Sequence, residues 1–204
     1  MSLILLECEQ GSEAWQQARL GIPTASQFDR IITTSGAQSK QANGYMAELI
    51  AEHITGQPVN SFTSDDMRRG TELEPVARAR YELESDNNVT EVGGVFLDET
   101  KKIMASPDGL IPEIKRGLEI KCPKLSTHIK YVLENELPNQ YVLQVQGGMW
   151  ITGYKTWDFV SFCPEYTPMP ILIITVKRDE NLIKEMDKNI RKFSEKLELI
   201  KGEK

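Results

Sequence analysis

The stretch Gly117-Leu118-Glu119-Ile120-Lys121-Cys122-Pro123 alternates apolar and charged side chains and decides how the middle of this chain folds. In a β-strand successive side chains point to opposite faces. Glu119 and Lys121 then share one face, while Leu118 and Ile120 pack on the other. The stretch therefore predicts a half-buried strand that holds a carboxylate and an ammonium side by side.

A second short segment, Ser106-Pro107-Asp108-Gly109-Leu110, lies upstream of this strand. The residues between the two segments include Pro112 and the run Lys115-Arg116-Gly117, which favour a turn. A hairpin through that turn brings the carboxylate of Asp108 back beside Glu119. The two segments together therefore predict two hard oxygen donors at one point.

Such a pair suits Mg²⁺, which takes one or two carboxylates from a protein and completes its octahedron with waters and substrate phosphate. The ion neutralises charge on a phosphate and lowers the pKa of a bound water, which Lys121 then positions or deprotonates. The alternative is a surface ion pair between Glu119 and Lys121, worth at most about 1 kcal/mol, with Asp108 in a simple turn. For these three residues alone the surface pair is the more frequent arrangement, and both interpretations stay open.

Further motifs stand on either side of these segments. In chain order they are Gln10-Gly11-Ser12-Glu13-Ala14-Trp15 with Arg19-Leu20-Gly21 and Thr24-Ala25-Ser26, then Gly70-Thr71-Glu72-Leu73-Glu74, then the two central segments, and last Gln144-Val145-Gln146-Gly147-Gly148-Met149-Trp150. In this order they resemble the lambda exonuclease (YqaJ-like viral recombinase) family of the PD-(D/E)XK nuclease superfamily. The resemblance implies an α/β fold with a restriction-endonuclease-like core, in which helices flank a mixed central sheet.

The resemblance also implies roles for individual residues. Lys121, Glu119 and Asp108 are the expected catalytic residues, and Mg²⁺, with Mn²⁺ as a substitute, is the expected metal. The implied metal ligands are Asp108, Glu119, the carbonyl of Ile120 and Glu74, and the implied ligands of a DNA 5′-phosphate are Arg19, Ser26, Ser106 and Gln144. The simpler alternatives are a solvated helix residue for Arg19, a helix cap for Ser26 and a surface amide for Gln144.

Glu74 has its own alternatives. Thr71 and Glu74 have the spacing of a capping box, in which the glutamate binds a backbone N–H at the start of a helix. Pro75 fits a first helical turn better than a helix interior. Glu72 is a competing ligand, two residues away from Glu74. The family's spacing to the following helix favours Glu74 as the metal ligand.

The chain departs from the family's pattern after Pro123. The family has a further arginine here, whereas this sequence reads Lys124-Leu125-Ser126-Thr127-His128. Lys124 and His128 are the two residues that remain to bind phosphate in its place.

The activity implied by the resemblance is a Mg²⁺-dependent 5′-to-3′ exodeoxyribonuclease. It would act on ends of linear double-stranded DNA and leave 3′ single-stranded tails for phage-type recombination. The implied partners are a single-strand annealing protein and two further copies of the chain in a homotrimeric ring. Two alternatives stay open: a structure-dependent endonuclease or resolvase on the same core, and a catalytically silent module that binds DNA ends.

Length and composition fit one nuclease domain of 204 residues, with 40% hydrophobic and 26% charged residues. We expect a helical part over about 1–86, a sheet core over about 87–177 and a C-terminal helix over 178–204.

No apolar run reaches the ~18 residues of a membrane span, and the apolar start Leu3–Leu6 lacks the basic region of a secretory signal. We therefore expect a cytoplasmic protein without membrane contact. The three cysteines have no CxxC spacing, which disfavours an iron–sulfur nuclease.

The net charge of −6 would by itself repel DNA, whose phosphates are also negative. A local field steers a ligand more than the total charge does, so an acidic enzyme can bind DNA through basic residues collected in one cleft. The residues expected there are Arg19, Arg30, Arg68, Arg69, Lys121, Lys124 and Lys130.

The periodicity predicts the order of helices and strands. Helices are expected from Ser12 to Gly21, at 24–32, at 45–55 and at 66–84, the last interrupted near Gly70 and Pro75, with two more between 125 and 152 and one at the C-terminal end. Strands are expected at 89–97, 102–106, 117–121, 157–163 and 170–177.

The loop at 33–43 is small and polar. Trp15, Trp150 and Trp157 are expected in the core. The loop at 60–64 places Phe62 either as a wedge between bases or as a buried anchor.

Overall fold

The computed structural model describes residues 2–59 and 65–202. The helices are α1 (Glu13–Arg19), α2 (Ala42–Thr55), α3 (Asp65–Ser85), α4 (Leu125–Glu134), α5 (Val142–Thr152) and α6 (Glu180–Lys201). The strands are β1 (Ile4–Leu6), β2 (Gly94–Phe96), β3 (Met104–Ala105), β4 (Gly109–Ile111), β5 (Arg116–Lys121), β6 (Thr156–Phe162) and β7 (Ile171–Lys177). Short 3-10 helices cover Ala25–Arg30, Pro112–Ile114 and Asn139–Tyr141. The predicted loop at 60–64, with Phe62, lies outside the described residues.

The central sheet has the strand order β4-β5-β6-β7. β5 and β6 are parallel, while β4 and β7 run antiparallel to their neighbours. The predicted mixed sheet is therefore confirmed. A second sheet, β1-β2-β3, is antiparallel throughout. Its first strand, β1, was not predicted from the sequence, because a run of three residues shows no usable periodicity.

Helices cover both faces of the central sheet. α3 packs on one face, where Ala77 and Tyr81 lie against Leu118 and Ile120 of β5. α5 packs on the opposite face with Trp157 of β6, and α2 and α6 complete the larger core on that side. β5 is therefore enclosed between two helices, and both faces of its predicted alternation are buried.

The hairpin from β4 to β5 forms as predicted. Gly109 pairs with Leu118, and the 3-10 turn at Pro112–Ile114 leads to Lys115, whose φ of 51° lies in the left-handed region. The chain reverses direction within a few residues. The start of β4 thereby comes to lie beside the middle of β5.

α3 differs from its prediction, because it runs without interruption from Asp65 to Ser85 with Pro75 inside it. Thr71 therefore lies within the helix and not at its start, so the capping-box interpretation of Glu74 is wrong. Proline in a helix interior removes one helical hydrogen bond. The packing of Ala77 and Tyr81, both fully buried, compensates for that loss and keeps the helix continuous.

The other predicted helices form, with small changes at their ends. Ser12 caps α1 by accepting a hydrogen bond from the Trp15 N–H, and Gly56 ends α2 with a φ of 65°. The predicted helix at 24–32 is a shorter 3-10 helix. Trp150 and Trp157 are buried as predicted, whereas Trp15 is only half-buried. Within the ranges that the structure describes, no helix has the length and apolar character needed to cross a bilayer.

Candidate metal centre and phosphate cavity

Asp108 stands immediately before β4 and is held against β5. Its backbone N–H donates to the carbonyl of Leu118 at 3.1 Å. Its carboxylate oxygen Oδ2 accepts a hydrogen bond of 2.6 Å from the N–H of Ile120. The predicted convergence of Asp108 on the Glu119 strand is confirmed. The side chain is anchored by backbone groups and does not depend on a flexible partner.

Glu119 and Lys121 lie on the same face of β5, as the alternation predicts. The Lys121 Nζ is 2.5 Å from Oε1 of Glu119, and the two side chains are 28% and 3% exposed. The Lys121 ammonium also lies 5.3 Å from the ring centre of Tyr141. A pair this buried is not a solvated surface ion pair, so that alternative is wrong.

Glu74 lies in the same cleft as Asp108, Ile120 and Lys121, in a space of about 510 Å³. α3 presents it from the face of the sheet opposite α5. Glu72 is exposed and does not line this cleft, so the structure favours Glu74 over its competitor.

Arg78 is a residue of this centre that the sequence analysis missed. Its guanidinium contacts Glu74 at 2.7 Å, the backbone carbonyl of Asp108 at 3.2 Å and Glu91 at 3.0 Å. The signal in the sequence was the i, i+4 spacing from Glu74. That spacing alone does not distinguish Arg78 from Arg80, which forms an exposed pair with Glu84 on the same helix.

The acids of the centre bind protons more tightly than usual. Burial, together with repulsion from Asp108, raises the pKa of Glu74 to about 7, and burial raises the pKa of Glu119 to about 7 although Lys121 opposes it. Burial also raises the pKa of Asp108. For Lys121, burial lowers the pKa, but the two neighbouring acids Glu119 and Asp108 outweigh it and raise the pKa above its usual value. When Glu74, Asp108 and Glu119 are all ionised, they carry more negative charge than Lys121 and Arg78 together neutralise.

This donor set fits a hard divalent cation. Buried carboxylates that repel one another are stabilised by a cation between them, and Mg²⁺ accepts carboxylate and carbonyl oxygens. Over 2–59 and 65–202, no three side chains of the His, Cys, Asp and Glu types come close enough to hold a metal ion together. Glu74 therefore does not close a three-carboxylate set with Asp108 and Glu119 in this structure. Asp108 and Glu119 stay predicted ligands, and two carboxylates are the number that Mg²⁺ ordinarily takes from a protein.

A small cavity lies on the other side of Glu119. Its lining includes all four residues predicted to bind a 5′-phosphate, together with Glu119 itself: Arg19, Ser26, Ser106, Gln144 and Glu119. Its volume of about 20 Å³ holds roughly one water. A bound phosphate therefore requires these side chains to move apart. The structure brings together residues that are far apart in the sequence, whereas their roles stay predictions.

Arg19 is largely buried in the wall of this cavity. It donates a hydrogen bond of 2.8 Å to Oγ of Ser106 and lies 4.2 Å from the ring centre of Trp15. No carboxylate within the described part of the chain pairs with it, and burial lowers its pKa. A buried guanidinium without an anionic partner is costly, so its position favours an anion as the missing partner.

The remaining basic residues divide between the cleft and the surface. Arg69 and Lys124 line the cleft, as predicted. Arg30, Arg68 and Lys130 do not, and they form ion pairs with Glu48, Asp65 and Glu134. The prediction that all seven basic residues surround one cleft is therefore wrong. Ion pairing does not separate the two groups, because Arg69 in the cleft is itself paired with Glu165 at 2.8 Å.

His128 is not available to bind phosphate. It is fully buried, with Nδ1 2.7 Å from Oγ of Ser161 and Nε2 2.9 Å from the carbonyl of Met169. Both ring nitrogens are used inside the fold. Of the two residues proposed to replace the family's arginine, only Lys124 faces the cleft.

Solved structures of exonucleases share this fold. The alkaline exonuclease LHK-Exo from Laribacter hongkongensis is 36% identical, with a TM-score of 0.84 over 94% of this chain and 95% of that chain. LHK-Exo in complex with dAMP gives the same values. A phage related exonuclease from Haemophilus somnus 129PT is 17% identical, with a TM-score of 0.68 over 88% of this chain and 94% of that one, and shows the fold alone. Fold and site together define a nuclease with a PD-(D/E)XK-like fold.

Residues 14–155 match the YqaJ-like viral recombinase domain. The match covers more than half of the chain, which therefore belongs to the YqaJ-like viral recombinase family of alkaline-exonuclease-like proteins. The resemblance predicted from the motifs is confirmed. No curated protein sequence matches the chain.

Proposed function

We propose that this chain is a Mg²⁺-dependent 5′-to-3′ exodeoxyribonuclease that digests one strand of linear double-stranded DNA. The observation that carries the proposal is the position of Glu119 between two sites. It contacts Lys121 in the metal centre, and it lines the phosphate cavity with Arg19 and Gln144. A terminal phosphate in the cavity would place the adjoining phosphodiester at the metal centre.

In this proposal the protein groups divide the work as follows. Arg19, Ser26, Ser106 and Gln144 hold the terminal phosphate, because a guanidinium, hydroxyls and an amide are strong donors to its oxygens. Asp108, Glu119 and the carbonyl of Ile120 would hold Mg²⁺, with Glu74 joining them as the cation draws the acids together, and the ion would supply charge neutralisation and a more acidic water. Mn²⁺ is the expected substitute.

Lys121 positions the attacking water or takes its proton, and its charge offsets the negative charge that develops on the phosphate. In the metal-free protein the raised pKa of Lys121 favours its charged form. Electrostatic stabilisation of the phosphate is therefore the larger part of the role that we propose for it. Buried position and fixed geometry strengthen this contribution relative to that of an exposed lysine.

The product of each step is a nucleoside 5′-monophosphate, and the remaining strand is a 3′ single-stranded tail. LHK-Exo has been solved in complex with dAMP, a nucleoside monophosphate, and its 36% identity supports a nucleotide-sized site in this chain. We propose that the tail passes to a single-strand annealing protein in phage-type recombination. This step rests on family membership.

We further propose that three copies of this single nuclease domain form a ring around the DNA. The net charge of −6 suits a ring with an acidic exterior and basic residues turned inward. Arg69 and Lys124 in the cleft are residues of this chain that would face the DNA.

The test is digestion of a linear duplex labelled separately at each end, beside a closed circular duplex of the same sequence, with and without Mg²⁺. We expect Mg²⁺-dependent release of nucleotides from the 5′ ends and an intact circle. Cutting of the circle would instead indicate an endonuclease or resolvase. Retained binding of ends without any cutting would indicate a silent end-binding module.

A further inference from the structure

Arg78 connects three parts of the chain that meet beside the metal centre. The terminal nitrogens of its guanidinium contact Oε1 of Glu74 at 2.7 Å and Oε2 of Glu91 at 3.0 Å. Its Nε donates to the backbone carbonyl of Asp108 at 3.2 Å. One planar group therefore touches the side chain of one proposed metal ligand and the main chain of another.

The contact with Glu74 differs from an ordinary surface pair. Glu74 and Arg78 have the i, i+4 spacing of exposed helix pairs, which contribute roughly 0.2–0.5 kcal/mol. Their side chains are only 32% and 11% exposed, whereas those of Arg80 and Glu84 on the same helix are 45% and 43% exposed. The Arg78 guanidinium has lost most of its water, so its partners hold it in one orientation.

The two oxygens of the Glu74 carboxylate have different surroundings. Oε1 accepts the Arg78 hydrogen bond, and no bond to Oε2 occurs among the described residues. A carboxylate fixed through one oxygen presents the other in a defined direction. The same guanidinium fixes the Asp108 backbone, whose carboxylate is already held by the N–H of Ile120.

We infer that Arg78 is a positioning residue of the metal centre, which aims Oε2 of Glu74 and holds Asp108 in register so that both ligate one cation site. This inference rests on the proposed function, since it presumes a divalent cation at Asp108 and Glu119. Groups that orient metal ligands typically change metal affinity or activity by about 10–100-fold when they are removed.

The test compares metal binding without DNA and digestion with DNA. Calorimetric titration with Mn²⁺ should give a Kd about tenfold higher for Arg78→Gln than for the unchanged chain. Arg78→Lys keeps the charge but loses the planar fork, so its Kd should lie between the two. Arg80→Gln removes the exposed pair from the same helix and should bind Mn²⁺ like the unchanged chain.

A double variant separates positioning from a general loss of folding. Glu74→Gln combined with Arg78→Gln should lose less affinity than the two single losses added together, since the two residues are in contact. The loss that remains beyond Glu74→Gln alone is the part that Arg78 exerts through the backbone of Asp108. Thermal denaturation of each variant identifies any protein that is unfolded at the titration temperature. Glu91→Gln leaves the other two Arg78 contacts and should have the smallest effect.

The possible outcomes distinguish the positioning role of Arg78 from the proposed nuclease function. Normal Mn²⁺ affinity and digestion in a folded Arg78→Gln protein would overturn the positioning role while the proposed nuclease stands. Tighter Mn²⁺ binding would also overturn it, because Arg78 would then compete with the cation. Failure of the unchanged chain to bind Mn²⁺ or digest DNA would overturn the proposed function, and the inference with it.

Discussion

The side-chain amide of Gln144 donates a hydrogen bond of 2.6 Å to Oε1 of Glu119, the same oxygen that the Lys121 ammonium contacts at 2.5 Å. Gln144 also lines the phosphate cavity with Arg19. An amide nitrogen has two hydrogens, so one can bind Glu119 while the other faces the cavity. Gln144 therefore connects the phosphate cavity with the pair of Glu119 and Lys121.

Replacing Gln144 by Met should impair both sites at once. We expect the digestion rate of 5′-phosphorylated duplex to fall at least about tenfold, since an amide donor near developing charge is typically worth 10²–10³ in rate. The difference between phosphorylated and hydroxyl ends should shrink. Initial rates on the two substrates measure both effects. Gln140→Met is the control, because Gln140 is exposed and bonds only Tyr131 among the described residues. Equal rates for Gln144→Met and the unchanged chain would contradict the link.

Lys121 is expected to be essential for the chemical step. Lys121→Met should lower the rate of cleavage by about 10²–10⁴-fold in a protein that stays folded and still binds DNA ends, although the loss of a buried ion pair lowers its thermal midpoint. Single-turnover digestion and a binding titration in Ca²⁺ measure the two properties. Lys155→Met removes an exposed lysine that pairs with Glu180 and serves as the control. Full activity of Lys121→Met would remove this residue from the mechanism.

The raised pKa values of the acids predict how metal and pH act together. Glu119 has a pKa of about 7 in the fold against an ordinary 4.5, so the folded chain holds a proton that the unfolded chain releases between those values. Its contribution to metal-free stability is therefore present below about pH 4.5 and falls as the pH rises to about 7. Mg²⁺ requires the ionised carboxylates and should offset this loss.

We expect Mg²⁺ to raise the thermal midpoint more at about pH 8 than at about pH 6, and the digestion rate to rise over the same interval. Thermal denaturation with and without Mg²⁺ at the two pH values checks the first expectation. Glu119→Gln cannot ionise and should show a smaller change between them. A Mg²⁺ effect that is equal at both pH values would count against the coupling.

Arg19 should govern the preference for a phosphorylated end. Arg19→Ala should slow digestion of 5′-phosphorylated ends more than of 5′-hydroxyl ends, by roughly tenfold or more, because it removes a charge-assisted contact to a dianion. The control is Arg30→Gln, since both terminal nitrogens of Arg30 are held by Glu48 at 2.7 Å. An equal loss on both kinds of end would make Arg19 a structural residue or a general DNA contact.

The ring predicts a defined mass in solution. Three chains of 23.1 kDa should sediment together at about 69 kDa. Sedimentation equilibrium at several concentrations measures this directly. A stable monomer that still digests DNA would overturn the ring while leaving the metal centre intact.

Local sequence determined much of this protein. The alternation through Leu118, Glu119, Ile120 and Lys121 placed the acid and the ammonium on one face of β5, because the side-chain period of a strand is two. The turn residues before Gly117 placed Asp108 beside that strand. These relations depend on neighbours along the chain, so they were predicted before any tertiary contact was known.

Tertiary packing decided what the sequence left open. α3 begins at Asp65, so Thr71 lies inside it and Glu74 turns to the cleft and not to a helix cap. His128 is enclosed between Ser161 and Met169 and is lost as a phosphate ligand. Each result depends on which elements pack together, and propensity along the chain carries little information about that.

The roles of Arg78 and Arg19 show the same limit. In the sequence, Arg78 and Arg80 are equally plausible partners for acids on one helix, and only burial beside Asp108 separates them. Arg19 reaches Ser106 across 87 positions of the chain. The alternation of β5 determined which groups this protein has at its centre, and the packing of α3 and α5 against the sheet decided which distant side chains join them.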